Sequence, residues 1–170
     1  MVKICEKICV AILSVVLLTG CADWHLLFVS LQSDDKVADM QKEETPAEEK
    51  AEQLILDLGL EGMMEPLKER NMRSLVFQGD EIYSDGVIYL STEQKSDSVG
   101  VFYVTDFDKS MSHVKEYLSS LKTQTNLYDF TEMFKISNAV IADNGTDLIV
   151  LVICSDIEKA KKLAEEAVRN

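Results

Sequence analysis

The chain has 170 residues, which suits one folded domain with appendages and is marginal for two. Lysine and arginine number 17 against 30 aspartate and glutamate residues, so the formal charge is −13. This acidic balance argues against a nucleic-acid partner, because a phosphate backbone needs a basic protein face. Apolar residues make up 46% of the chain, which allows a hydrophobic core and excludes wholesale disorder.

The first twenty residues have the pattern of a secretory signal. Lys3 and Lys7 form a basic head, and residues 8–18 are apolar apart from Ser14. An apolar run of this length behind a basic head is typical of a signal peptide, and it is shorter than the roughly 20 residues that span a bilayer. We therefore predict that residues 1–20 are a signal peptide that is removed from the mature protein.

The segment Leu18-Thr19-Gly20-Cys21 closes this run and resembles the bacterial lipobox. In that motif the chain is cut just before the cysteine, whose thiol carries diacylglycerol. We therefore predict signal-peptidase cleavage between Gly20 and Cys21 and lipidation at Cys21, with palmitate among the expected acyl chains. Two acyl chains attach a protein stably to a membrane. The expected location of the mature protein is therefore the outer face of the cell membrane.

Two other interpretations of the N-terminus stay open. In the first, Cys21 is an ordinary cysteine that follows a conventional cleavage site. In the second, residues 8–31 form one uncleaved membrane anchor. The anchor would place Asp23 within about 6 Å of its centre, at a cost of about 2.5–3.5 kcal/mol. In the lipidated form, the apolar residues 24–31 would lie in the headgroup region with Trp24 as an interfacial anchor.

A charged tether and a well-marked helix follow. Residues 32–44 are polar and lack apolar periodicity, so residues 21–44 are predicted to be the lipidated N-terminus and a solvated tether. Thr45 and Glu48 have capping-box spacing, and Pro46 suits the first helical position. Gly59 is placed to end this helix.

Three further helices are predicted. A short helix with Pro66 near its start would use the methionines around it as core residues. A longer helix begins at Asp108 or Ser110 and has an apolar face at one-turn spacing. The last begins with a second capping box, Ser155 and Glu158.

β-Branched and aromatic runs predict strands at residues 87–90, 99–104, 139–142 and 148–154. The pair Asn144-Gly145 favours a primed hairpin turn between the last two strands. Seven consecutive apolar residues place the last strand inside the sheet, because both of its faces must be covered. Residues 45–170 are thus predicted to form a single α+β domain, with a mostly antiparallel sheet of about four strands and three or four helices.

We find no constellation that predicts catalysis, a metal site or a cofactor. His25 and His113 have no ligand partner one helical turn away, and Cys154 is expected to be a buried, inert thiol. Residues 143–147 superficially resemble part of a calcium loop but lack its distal glutamate, so a hairpin is preferred. A solvated turn explains the acidic residues Asp80, Glu81 and Asp85.

The lipobox and several segments across residues 47–168 share the pattern of one known family. Those segments are the capped helix at 48–58, the strand at 99–104 with the Val-Lys-Glu-Tyr-Leu run at 114–118, Asn138-Ala139-Val140, Asn144-Gly145, the strand at 148–155 and the helix at 157–167. The chain resembles the domain of unknown function 4358, a family of small predicted bacterial lipoproteins. The resemblance implies a lipoprotein and brings no catalytic residues, because the family has no established activity.

These observations lead to three hypotheses of function. The first is a membrane-anchored, non-enzymatic interaction or binding domain outside the cytoplasmic membrane, held by the lipid at Cys21 and contacting an unidentified protein partner. The alternative is a small solute- or peptide-binding lipoprotein associated with a transporter. The third is a hydrolase whose site residues are dispersed along the chain. A polar cleft with perturbed pKa values would favour the second or third hypothesis, whereas an apolar patch or a flat sheet face would favour the first.

Overall fold

The computed structural model describes residues 44–93, 95–125 and 129–169. The helices and strands, in chain order, are α1 (Pro46–Leu58), β1 (Met64–Pro66), α2 (Glu69–Val76), β2 (Tyr83–Ser91), β3 (Ser98–Val104), α3 (Phe107–Gln124), α4 (Phe130–Ser137), β4 (Val140–Asp143), β5 (Leu148–Ile153) and α5 (Ile157–Ala167). The predicted signal peptide, and the predicted lipidated tether up to residue 43, lie outside the described residues.

The five strands form one sheet in the order β1-β2-β3-β5-β4, and every neighbouring pair is antiparallel. The α+β prediction is confirmed, with one strand and at least one helix more than expected. The additional strand, β1, is only three residues long and ends in Pro66. It lies at a sheet edge, where proline is tolerated because one side of the strand donates no ladder hydrogen bonds.

Helices cover both faces of the sheet. On one face, alternate strand residues pack against α1 and α5 in a single apolar cluster that includes Ala51, Val101, Val150 and Ala164. On the other face, α2 and the residue that follows it, Phe77, pack against the sheet, and α3 contacts both α2 and α4. The sheet is therefore the middle layer, and its interior strands are apolar on both sides.

The observed helix starts refine the predicted ones. The capping box of α1 is confirmed, since the Glu48 N–H donates to Thr45 Oγ1 at 3.3 Å and the Thr45 N–H donates to Glu48 Oε2 at 2.9 Å. The predicted cap of α5 is wrong. Asp156, rather than Ser155, accepts the capping bond, from the Lys159 N–H at 3.1 Å. The sequence Ser155-Asp156 offers two good caps in a row, and the second one wins.

Two other helices also begin at residues that the patterns did not indicate. The short methionine-rich helix begins at Glu69 rather than near Pro66, because residues 64–66 are used by β1. The long helix α3 begins at Phe107 and is capped by Asp106, which accepts a hydrogen bond from the Lys109 N–H at 3.1 Å.

The β4–β5 hairpin is confirmed, but its turn is not the two-residue primed type. With Asn144 and Gly145 at its centre, a type I′ turn needs positive φ at both residues and a type II′ turn needs it at Asn144, but of the two only Gly145, at +75°, has it. Instead Asn144 Oδ1 accepts hydrogen bonds from the N–H groups of Thr146, Asp147 and Leu148 at 3.0–3.1 Å. The asparagine side chain closes a longer loop in place of the predicted turn.

Candidate functional site

The residues predicted to carry the lipid anchor, Gly20 and Cys21, lie outside the described residues, as does the apolar stretch at 24–31. Within the described part of the chain, no helix is both long enough and apolar enough to cross a bilayer. The same part of the chain holds no group of three or more histidine, cysteine or carboxylate side chains arranged to bind a metal ion.

The first cluster surrounds a buried lysine on α4. The Lys135 side chain is 3% exposed, and its Nζ lies 2.8 Å from both Asp97 Oδ2 and Glu132 Oε1. Glu132 Oε2 in turn accepts hydrogen bonds from the N–H and the hydroxyl of Ser96, both at 2.6 Å. We call these four residues the Lys135 cluster. It joins α4 to the loop between β2 and β3.

The electrostatics of the Lys135 cluster favour a structural role. Burial works against the charged amine, but the hydrogen bonds to Asp97 and Glu132 outweigh it and hold the pKa of Lys135 above its usual value. Burial likewise opposes the charged Glu132, and the bonds from Lys135 and Ser96 bring its pKa below its usual value. A lysine kept protonated is not a general base, so this cluster ties elements together rather than moving protons.

Cys154, immediately after β5, is buried as predicted. Burial raises the pKa of its thiol, and Sγ donates a hydrogen bond to the Asp156 carbonyl at 3.5 Å. A thiol in this environment is weakly nucleophilic, because the reactive species is the thiolate. That the Cys154 thiol is inert stays a prediction, and the burial of the side chain supports it.

The second cluster links α3 to the segment before β2. The His113 side chain is 11% exposed, and its Nε2 lies 3.0 Å from Asp80 Oδ2. Lys109 Nζ lies 2.8 Å from the same oxygen, and its hydrogen bond is the main cause that lowers the pKa of Asp80. Nearby serines are otherwise engaged: Ser110 donates to the Ile82 carbonyl. The histidine–aspartate pair thus connects α3 to the segment before β2, and no hydroxyl among the described residues is hydrogen-bonded to it.

The predicted solvated turn holds for Asp80 and Glu81, which lie in the accessible segment before β2, and not for Asp85, and all three carboxylates have separate structural partners. Asp80 pairs with α3, and Glu81 forms an ion pair with Arg73 of α2. Asp85 lies within β2, and its Oδ2 accepts a hydrogen bond from the Ala47 N–H at 2.9 Å. The sequence placed these residues together, whereas the fold uses each one to hold a different helix.

A groove of about 710 Å³ runs between the edge strand β4 and helix α5. Its strand side comprises residues 138–144, and its helix side includes Ile157, Lys161, Glu165 and Val168. Its volume lies within the range of about 300–1,000 Å³ that ligand sites occupy. The groove combines apolar and charged side chains.

The backbone of β4 adds hydrogen-bonding groups to this groove. The Asn144 N–H donates to the Leu148 carbonyl at 3.2 Å, and Ala142 pairs with Val150 two residues earlier. Hydrogen-bonded pairs alternate along an antiparallel ladder, so the N–H and C=O groups of Ile141 and Asp143 point away from β5. The described residues supply no further strand on that side, because β4 is the last strand of the sheet.

One apolar feature lies elsewhere. Phe130 and Phe134 are one turn apart on α4 and are 78% and 57% exposed. Both residues lie in an apolar stretch for which the sequence patterns predicted no helix or strand. Only the position of α4 shows that their rings face solvent. Two exposed phenylalanines are a small patch, since stable interfaces bury about 800 Å² on each partner.

Sequence reasoning missed the groove, because it is built from β4 and α5, which the chain connects only through β5. The apolar run at residues 139–142 indicated a strand, but no local pattern tells that this strand is an edge. Comparison with known proteins adds no template for the groove. No protein-family model, curated protein sequence or solved structure matches this chain.

Proposed function

We propose that the protein is a lipoprotein, held at the outer face of the cytoplasmic membrane through Cys21, whose folded part binds a polypeptide partner without catalysing a reaction. The observation that carries the binding part is the groove between β4 and α5, with its outward-pointing backbone groups. The observation that carries the location is the segment Leu18-Thr19-Gly20-Cys21 at the end of an apolar run.

The location is consistent with the charge of the folded part. Removal of residues 1–20 would take away Lys3, Lys7 and Glu6, which leaves 15 basic against 29 acidic residues and a net charge of −14. An acidic body is repelled by an anionic leaflet, so it would stand away from the membrane on its tether. In that arrangement its grooves and edges face the space outside the cell.

A polypeptide partner fits the groove better than a small solute does. The groove is open along one side and follows a strand, so an extended chain can lie along it. Transporter-associated solute binding, the alternative hypothesis, usually relies on a cavity that encloses 70–90% of the ligand surface. An open groove with backbone donors and acceptors is the arrangement that peptide-recognition domains use.

Site-specific photocrosslinking in cells that produce the full chain tests this proposal. A benzophenone amino acid in place of Lys161, which lines the groove, is expected to give a protein adduct of higher mass after irradiation. The matched control carries the same amino acid in place of Lys122, an exposed lysine on α3, on the opposite side of the sheet.

Two outcomes would contradict the proposal. Equal adducts at Lys161 and Lys122 would show non-specific contact, and no adduct at either position would show that the groove is not occupied by protein. A third arm adds Cys21→Ala to the Lys161 variant. We expect this arm to lose the adduct, because the chain would no longer be held beside its partner.

A further inference from the structure

Resting on the proposed function, we propose that the partner is an extended, positively charged polypeptide segment that adds to β4 as a sixth strand. Its main chain would bond to the outward N–H and C=O groups of Ile141 and Asp143. This inference names the binding mode and the chemistry of the partner, neither of which follows from the groove volume alone.

The two edges of the sheet differ in how they are protected. Natural edge strands avoid pairing with other chains by carrying proline or lysine or by being very short. β1 has three residues, one of which is Pro66, which has no N–H to donate. β4 is Val140-Ile141-Ala142-Asp143 and contains neither proline nor lysine. β4 is itself only four residues long and ends in the charged Asp143, so among the described strands it is the less protected of the two edges.

The open edge offers a repeat that matches a peptide backbone. Ile141 and Asp143 are two residues apart, so their outward donors and acceptors have the spacing of alternate residues in an added strand. Side chains of an added strand alternate between the two faces of the sheet. On the α5 side they would contact Val140 and Val168, and this side of the groove also holds Lys161.

Charge selects the kind of peptide. The chain has a net charge of −13, which attracts cations and raises their encounter rate. The groove lining itself is balanced, with Asp143 and Glu165 against Lys161 and Arg169. The local acidic excess comes from Asp147, which is exposed in the adjacent loop. Hydrogen bonds from Asn144 and Thr146 lower the pKa of Asp147, so its carboxylate stays charged in mildly acidic solution. A second copy of this chain, equally acidic, would be repelled from the same edge.

The test uses the full chain in non-ionic detergent and two labelled nine-residue probes, one alternating lysine with valine and the other alternating glutamate with valine. We expect the lysine probe to bind at least tenfold more tightly than the glutamate probe, with an affinity that falls as salt is added. In hydrogen exchange on the unmodified protein, the lysine probe is expected to slow the amides of Ile141 and Asp143 selectively.

The variant Ile141→Pro removes the outward N–H and leaves the ladder to β5 unchanged, because this N–H does not point to β5. We expect it to weaken binding of the lysine probe about tenfold, the effect of one lost hydrogen bond. Ile141→Val keeps the N–H and is the matched control, with binding expected within twofold of the original.

Strand addition is overturned if Ile141→Pro binds as tightly as Ile141→Val, or if the probe slows exchange only at other residues. The charge argument is overturned if the glutamate probe binds equally well. Slow exchange at Ile141 and Asp143 without any probe, together with a dimeric mass, would assign the edge to a second copy. If the Lys161 crosslink persists in these cases, groove binding stands and only the proposed mode fails.

Discussion

Two serines are buried to the same extent but differ in whether their hydroxyl groups are hydrogen-bonded. Ser98 on β3 and Ser110 on α3 are 1% and 0% exposed. The Ser110 hydroxyl donates to the Ile82 carbonyl at 3.3 Å, whereas Ser98 Oγ has no hydrogen-bond partner among the described residues. A buried hydroxyl without a partner lowers stability, and a partnered one raises it.

Substitution of each serine by alanine is therefore expected to have opposite effects. Ser98→Ala should raise the free energy of unfolding by about 1 kcal/mol, because it removes an unsatisfied polar atom. Ser110→Ala should lower it by about 1 kcal/mol, because it removes the hydroxyl bond to the Ile82 carbonyl, which keeps only the Thr105 N–H as a donor. Urea titration measures both. A loss of stability in Ser98→Ala as large as that in Ser110→Ala would contradict the assignment.

Gly100 in the centre of β3 is required by a neighbouring ring. A Cβ at this position would lie 2.7 Å from Phe102 Cζ and 2.9 Å from Phe102 Cε2, and Phe102 is fully buried against Phe77. Gly100→Ala is expected to cost about 1–3 kcal/mol of stability, the usual cost of overpacking. The double variant Gly100→Ala with Phe102→Leu should be more stable than the sum of the two single effects predicts. Additive effects in thermal unfolding would refute the contact.

At the scale of elements, the Lys135 cluster fixes α4 to the β2–β3 loop and makes stability depend on pH. The folded-state pKa of Glu132 lies below its usual value, so its contribution is present above about pH 4.3 and is lost as the pH falls through the folded value. The folded-state pKa of Lys135 is raised, so its contribution is present below about pH 10.4 and is lost as the pH rises further.

Glu132→Gln tests this linkage. At pH 7 we expect a loss of about 2 kcal/mol, because Lys135 keeps Asp97 as a partner but loses one charged hydrogen bond. Between pH 5 and pH 3 the variant should lose less further stability than the original protein does. The control is Glu166→Gln, a change at an exposed residue of α5. An unchanged acid slope in Glu132→Gln would show that the cluster does not govern acid sensitivity.

Element patterns in the sequence were reliable where local chemistry decides the structure. Thr45, Glu48 and Gly59 lie at or near the two ends of α1, and they predicted where this helix begins and ends. β1 was missed because its three residues become a strand only by pairing with β2. The Lys135 cluster was missed for a related reason, because Asp97 is 38 residues from Lys135 and no local pattern joins them.

At the scale of the whole molecule, the sequence predicted the α+β class but not the strand order. The apolar run of β5 indicated an interior strand, and all six of its residues are buried. That β4 is an edge depends on which strands pair across long loops, and so the groove beside α5 could not be anticipated. Sequence reasoning accounts for much of the framework and for little of the candidate binding surface.

In the proposed arrangement, the lipid at Cys21 holds an acidic domain with one open sheet edge beside a membrane. Intact mass spectrometry of the membrane-extracted protein tests it most directly. We predict the mass of residues 21–170 plus diacylglycerol, and we predict that Cys21→Ala removes the lipid mass. An unmodified chain of 170 residues, or a processed chain without lipid in the culture medium, would contradict the account.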